Sequence, residues 1–244
     1  AKELVSEIMK QLDLGEDQFD RLLACPEIPL VRAVKRACIA IEKRGGKVGW
    51  GPRKNGRYLG YAPYEGVAEF SKKIPMMVGN VLAEFSVEDG IPDKSTLPVE
   101  ERERIVKAFY GEEKGEKMLT LFRRAYPNVN EVYATQLDTF FRKDTLPYLR
   151  VKAKESDAPV YSYMFALEFG LDGGKMSWHC ADIPFAFRNT DKVPVCGMGE
   201  VTGKLEAQTA GAFAAFAKTG NPNHEGLPAW APCSKEHLVH MVFD

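Results

Sequence analysis

The chain has little of what marks a disulfide scaffold, a metal protein or a nucleic-acid binder. Its 244 residues hold five cysteines (Cys25, Cys38, Cys180, Cys196 and Cys233), dispersed and without Cys-x-x-Cys spacing. Structural zinc wants closely paired ligands, so that spacing argues against a metal site. An odd, scattered thiol set fits a reducing cytoplasm better than a bridged exterior, and a cytoplasmic location is expected. No signal peptide is visible in these residues, and secretion stays open if the natural start lies upstream. Charge of one sign is missing too: 33 basic and 34 acidic residues leave a net −1. That balance gives no electrostatic reason to expect nucleic acid or an anionic membrane as partner. Apolar runs such as Ile74–Val78 are far too short to span a bilayer. Low-complexity tracts, like-charge blocks and internal repeats are likewise absent.

What is present is an ordinary globular composition, 45% hydrophobic and 27% charged, in a chain long enough to bury a sizeable core. Leu4, Val5, Ile8, Met9 and Leu12 recur at helical spacing and predict a helix over 2–13. A second is expected from Asp17 to Ala24. A third runs from Pro29 to Lys43, with Pro29 in its first turn and Gly45-Gly46 ending it. Residues 45–63, rich in Gly, Pro and Tyr, read as an irregular loop.

Ile74–Gly79 reads as a buried parallel strand closed by its glycine, with Pro75 fitting only at its start. Periodicity predicts helices over 98–110, 112–125 and 129–142, and a short one capped by Asp144. Pro159–Phe169 is a long aromatic strand. Gly170, Gly173 and Gly174 then open a loop that carries His179. A helix from Gly199 to Lys218, with Val201, Leu205, Phe213 and Phe216 on one side, is ended by Gly220-Asn221-Pro222. Leu238–Phe243 adds a final strand. Alternating helices and strands give an α/β class with a mostly parallel sheet flanked by helices.

Two positions carry the chemistry. Glu84 lies in the turn after the Ile74–Gly79 strand, and active sites of open parallel sheets sit at such carboxyl ends. His179 follows the Pro159–Phe169 strand, in the segment Met176-Ser177-Trp178-His179-Cys180-Ala181-Asp182-Ile183-Pro184-Phe185-Ala186-Phe187-Arg188-Asn189. A loop there lets one imidazole nitrogen meet a carboxylate while the other faces a nucleophile. Taken alone, Glu84 is one solvated acid among many, and Asp182 is a loop or cap hydrogen-bonder. His224, His237 and His240 read as surface or satisfied core residues. Trp178, Phe185 and Phe187 read as loop packing. The side chain of Cys180 is expected to point away from that of His179.

The segments 178–189 and 216–230, the latter with Gly220-Asn221-Pro222-Asn223 and Gly226-Leu227-Pro228-Ala229-Trp230, resemble the C-terminal end of a type-B carboxylesterase. That is the esterase and cholinesterase branch of the α/β-hydrolases. Trp50–Leu59 resembles the loop before the acid-bearing strand, and Ala1–Leu14 the helix after the nucleophile region. The resemblance implies a triad acid five positions after Gly79, which is Glu84, and a triad histidine, His179. It implies that Asp182 orients the histidine rather than serving as the acid. Where the family pattern places a glycine after the acid, this chain has Phe85.

The resemblance also implies hydrolysis of small carboxylic esters through an acyl-serine intermediate, with no metal and no cofactor. Yet no Gly-x-Ser-x-Gly elbow occurs anywhere in the chain. Ser86, Ser162 and Ser177 lie near the named motifs, but none sits on an elbow. A glycine-rich oxyanion loop is also missing. The expectation is therefore residues 1–244 as the C-terminal region of a carboxylesterase domain, lacking the nucleophile-elbow half of the fold. Its helical part covers about 1–45 and 98–155, its sheet and active-site loops about 46–97 and 156–244. Such a chain supplies acid and histidine, is inactive alone, and pairs with an elbow-bearing N-terminal half or with itself. The competing expectation is a non-catalytic, cholinesterase-like interaction module.

Overall fold

The computed structural model describes residues 2–49, 54, 56, 60, 65–85 and 93–244, with the Asp172 side chain left aside. Ser86 and most of Trp50–Leu59 lie outside the described residues. The chain divides into two compact units, Ala1–Arg53 and Lys54–Asp244.

The first unit is helical, with α1 (Lys2–Gln11), α2 (Phe19–Leu23) and α3 (Glu27–Lys43). Ile8, Ala33 and Ala37 form its core, with Leu4, Leu12, Leu30 and Val34 around them. The alanines recur at one helical turn, so α1 can approach the backbone of α3 closely. Arg44 reaches back to Glu3 and Glu7, and Arg36 to Gln11. The helix starts two residues before Pro29, which still occupies its first turn. It ends at Lys43, and Gly45 just beyond takes the left-handed region at φ 78°, as the glycine pair predicts.

The second unit contains β1 (Met76–Val81), α4 (Val99–Tyr110), α5 (Glu112–Ala125), α6 (Arg142–Glu155), β2 (Val160–Phe165), β3 (Glu168–Phe169) and β4 (Lys175–Met176). It continues through α7 (Ile183–Ala186), α8 (Glu200–Thr219) and β5 (His240–Phe243). Three strands make a parallel sheet in the order β1-β2-β5, with Met76 opposite Val160 and Ser162 opposite His240. Every residue of the central strand β2 is buried, which explains why it is apolar and aromatic apart from Ser162. Because side chains alternate, β2 packs into cores on both faces of the sheet. Val160 packs with Met76, Val78 and with Leu146 and Leu149 of α6. Tyr161, Tyr163 and Phe165 pack with Phe185 of α7 and with Leu205, Phe213 and Phe216 of α8. The result is an α/β arrangement of helix, sheet and helix.

Several expected boundaries move, each for a local reason. β1 continues through Gly79 instead of ending there, since a Cβ at that position would lie 2.2 Å from the Tyr163 ring. The glycine makes room for a neighbour and does not stop the strand. The long aromatic strand breaks after Phe165; Glu168–Phe169 turns back to pair antiparallel with Lys175–Met176. Residues 129–142 do not form one helix, but a short 3-10 segment, Glu131–Gln136, followed by irregular backbone. Asp138 explains the break: its carboxylate accepts the backbone N–H groups of Phe140, Phe141 and Arg142 at 2.7, 3.1 and 2.8 Å. It therefore starts α6 at Arg142, upstream of the expected cap Asp144. In α8, Leu205, Thr209 and Ala212 face inward, whereas Val201 is exposed.

Candidate active site

The carboxyl ends of β1 and β2 converge on one corner of the sheet. After Val81 the chain turns through residues 82–85, and three backbone hydrogen bonds hold that turn. Leu82 N–H donates to Phe165 O, Ala83 N–H to Ser177 O and His179 N–H to Glu84 O, at 2.9, 3.0 and 2.7 Å. The histidine loop thus runs beside the acid turn as an added backbone ladder. Asp138 joins from a third segment, donating its N–H to Leu82 O at 2.9 Å.

That scaffold places Glu84 and His179 in contact. Glu84 is buried, at 7% exposure. One carboxylate oxygen, Oε1, accepts the Val81 N–H at 3.0 Å; the other, Oε2, lies 2.7 Å from His179 Nδ1. A carboxylate only accepts, so Nδ1 carries the proton of a neutral imidazole and donates it. Nε2 then keeps its lone pair. The His179 side chain is 44% exposed, whereas that of Glu84 is buried. Chemically this is a base whose tautomer is fixed and whose protonated form has a negative charge behind it.

Asp182 lies elsewhere. Its Oδ2 accepts the Tyr163 hydroxyl at 2.9 Å, and among the described residues it makes no hydrogen bond to the imidazole. Burial, followed by the Asp182 charge, pushes the Tyr163 phenol well above its ordinary range, so it remains a donor. Asp182 thus ties the segment after His179 to β2. Of the two serines that can be placed, Ser177 is fully buried and donates to Leu167 O. Ser162 is buried in β2 and shares a 2.9 Å hydrogen bond with His240 Nδ1. Neither is open to a substrate. Trp178 packs on Phe169 at 4.7 Å, and Phe185 is buried against Phe165 and Phe169. Phe187, expected to pack with them, is 76% exposed instead. Cys180 is exposed and takes a left-handed φ of 71°. Among the described residues no three His, Cys, Asp or Glu side chains converge as a metal ion would require.

Asp138 and Tyr163 are not evident in the sequence, because the Asp138 N–H meets Leu82 and the Tyr163 hydroxyl meets Asp182, partners distant along the chain. The only local signal is an Asp two to four residues before Phe140-Phe141-Arg142, the spacing of a capping side chain.

Comparison with known proteins gives the family of the chain. The profile of the carboxylesterase family matches residues 6–244. The para-nitrobenzyl esterase of Bacillus subtilis (strain 168) is 23% identical over 241 residues, 95% of this chain and 47% of that protein. An esterase from anaerobic Clostridium hathewayi, described as able to hydrolyse aliphatic aromatic polyesters, superposes with a TM-score of 0.87. It is 37% identical, over 99% of this chain and 48% of its own. A carboxylesterase of Geobacillus stearothermophilus shares the fold at a TM-score of 0.56 and 23% identity, over 98% of this chain and 50% of its own. The chain spans about half the length of the relatives it matches over nearly its whole extent. A family match from residue 6 to residue 244, on an α/β fold, shows that the chain belongs to the carboxylesterase family of the α/β-hydrolases.

Proposed function

We propose that the chain supplies the acid and the base of a serine carboxylesterase acting on small carboxylic esters. The carrying observation is the 2.7 Å contact between buried Glu84 Oε2 and Nδ1 of the half-exposed His179 ring, which leaves Nε2 unused by the pair. In this reading Nε2 takes the proton of an attacking serine, and the resulting imidazolium returns it to the leaving alcohol. The acyl-serine is then hydrolysed by the same steps with water as nucleophile. Glu84 fixes the tautomer and stabilises the imidazolium. Asp182 steadies the loop through Tyr163.

The serine and the oxyanion donors come from outside these residues, since no Gly-x-Ser-x-Gly is present. Their source is the N-terminal half of the same esterase, and without it the chain is inactive and self-associates. Loss of a triad serine costs about a millionfold in kcat, on the order of 8 kcal/mol. Residues 1–244 then form the C-terminal region of one carboxylesterase domain. Five unpaired thiols support a cytoplasmic location. No helix among the described residues is long and apolar enough to cross a membrane. The assembled Glu84–His179 pair favours an enzyme over a non-catalytic interaction module.

The test is reconstitution. The chain alone is expected to leave p-nitrophenyl acetate unhydrolysed above background, and addition of an elbow-bearing N-terminal polypeptide to produce turnover. Turnover by the isolated chain that survives His179→Ala would overturn the reading.

A further inference from the structure

Two phenylalanine rings lie against the imidazole of His179, and a third packs on those two. Phe85 lies against it with ring centroids 4.4 Å apart and planes inclined by 34°. Phe141 is stacked at 5.7 Å and 28°. Phe140 meets Phe85 edge-on at 5.4 Å and Phe141 at 4.9 Å, while Phe85 and Phe141 are 5.6 Å apart. These separations fall close to the range of about 4.5–7 Å in which aromatic rings attract.

Core packing does not account for the arrangement. Phe85 and Phe140 are 56% and 58% exposed, so neither owes its position to burial in a core. The cluster is nevertheless anchored. Asp138 binds the N–H groups of Phe140 and Phe141 with its carboxylate and the acid turn with its own N–H. Phe85 sits directly after Glu84, on the turn that carries the carboxylate.

A single hydrogen bond from Nδ1 leaves an imidazole free to rock about that bond, because its terminal torsion is broad. A ring pressed on the imidazole removes that freedom. We infer that Phe85, backed by Phe140 and Phe141 on the Asp138-pinned turn, is a positioning residue that holds the His179 ring so that Nε2 keeps one direction. The catalytic consequence rests on the function proposed above; the placement of the ring does not. A displacement of about 1 Å at a reacting group can cost on the order of a hundredfold in rate.

Proton NMR of the chain tests the placement without reference to activity. It has only four histidines, and loss of one set of ring signals in His179→Gln assigns His179. A neighbouring ring face shields the imidazole C–H protons, so they are expected upfield of their unfolded-chain positions. Phe85→Leu, which keeps the apolar bulk and removes the ring, moves them toward those positions; Phe85→Tyr leaves them shielded. Wild-type His179 signals at the unfolded-chain position would overturn the inference with no variant needed. So would signals unmoved by Phe85→Leu in a chain whose His240 signals are unchanged.

In the reconstituted esterase, Phe85→Leu is expected to lower kcat about tenfold, equivalent to about 1.4 kcal/mol, with KM changed less than about twofold. Phe85→Tyr restores kcat. A change confined to KM would mean that Phe85 contacts substrate instead, contradicting the inference. No turnover in any form, with the NMR shielding present, would refute the esterase reading and leave the positioning of His179 standing.

Discussion

Glu84 and His179 are 95 residues apart in sequence and 2.7 Å apart in space, yet both were legible from local segments. Each lies after a recognisable strand, and each falls in a segment with its own family resemblance. The residues that hold them in place were not legible. Tyr163 gives no sign in its strand that its hydroxyl meets Asp182, and Gly79 looks like a strand terminator. Its true role yields a test. A methyl group at Gly79 would press on the Tyr163 ring at 2.2–2.4 Å. Gly79→Ala should therefore destabilise the protein by about 1–3 kcal/mol, measured by urea denaturation; an unchanged midpoint would mean that Tyr163 moves aside freely.

His240 provides a second residue-scale test. Burial first, then the nearby Arg142 charge, hold its imidazole below the ordinary 6.5, and its Nδ1 is engaged by Ser162. As pH drops below 6.5 the unfolded chain takes up this proton before the folded one does. The contribution to stability is thus full above that pH and lost progressively as pH falls toward the folded value. Melting temperatures from pH 8 to pH 5 should decline on the acid side, and His240→Asn should flatten that decline. Equal slopes for the two proteins would remove His240 as the cause.

At the scale of elements, the sequence showed the strands and the long helices well, because strong periodicity or buried aromatic runs define them. It misjudged residues 129–142, where a helical pattern yields to Asp138 and its three backbone hydrogen bonds. Periodicity describes which side chains share a face, and it is silent on a carboxylate that captures N–H groups ahead of it. Asp138→Ala removes those bonds and should cost about 2 kcal/mol of stability. Asp138→Asn, which keeps an acceptor oxygen, should recover part of it. If Asp138→Ala melts like the wild type, Asp138 does not set the start of α6.

At the scale of the whole molecule, among the described residues β1 and β5 each pair on one side only. Unpaired strand edges recruit other strands. We therefore expect the isolated chain to self-associate in sedimentation experiments and an elbow-bearing polypeptide to suppress that association. A stable monomer at micromolar concentration, melting cooperatively, would count against the missing-half account. Composition could not show this feature, since an edge is defined by which strand lies beside it.

The most direct test of the central claim is the single-turnover rate of acyl-serine formation by the reconstituted enzyme from p-nitrophenyl acetate. If Glu84 and His179 are its acid and base, Glu84→Gln should slow that step by about 10⁴-fold and His179→Ala by at least as much. Acylation within about tenfold of the wild type in either variant, with the assembly intact, would contradict the assignment.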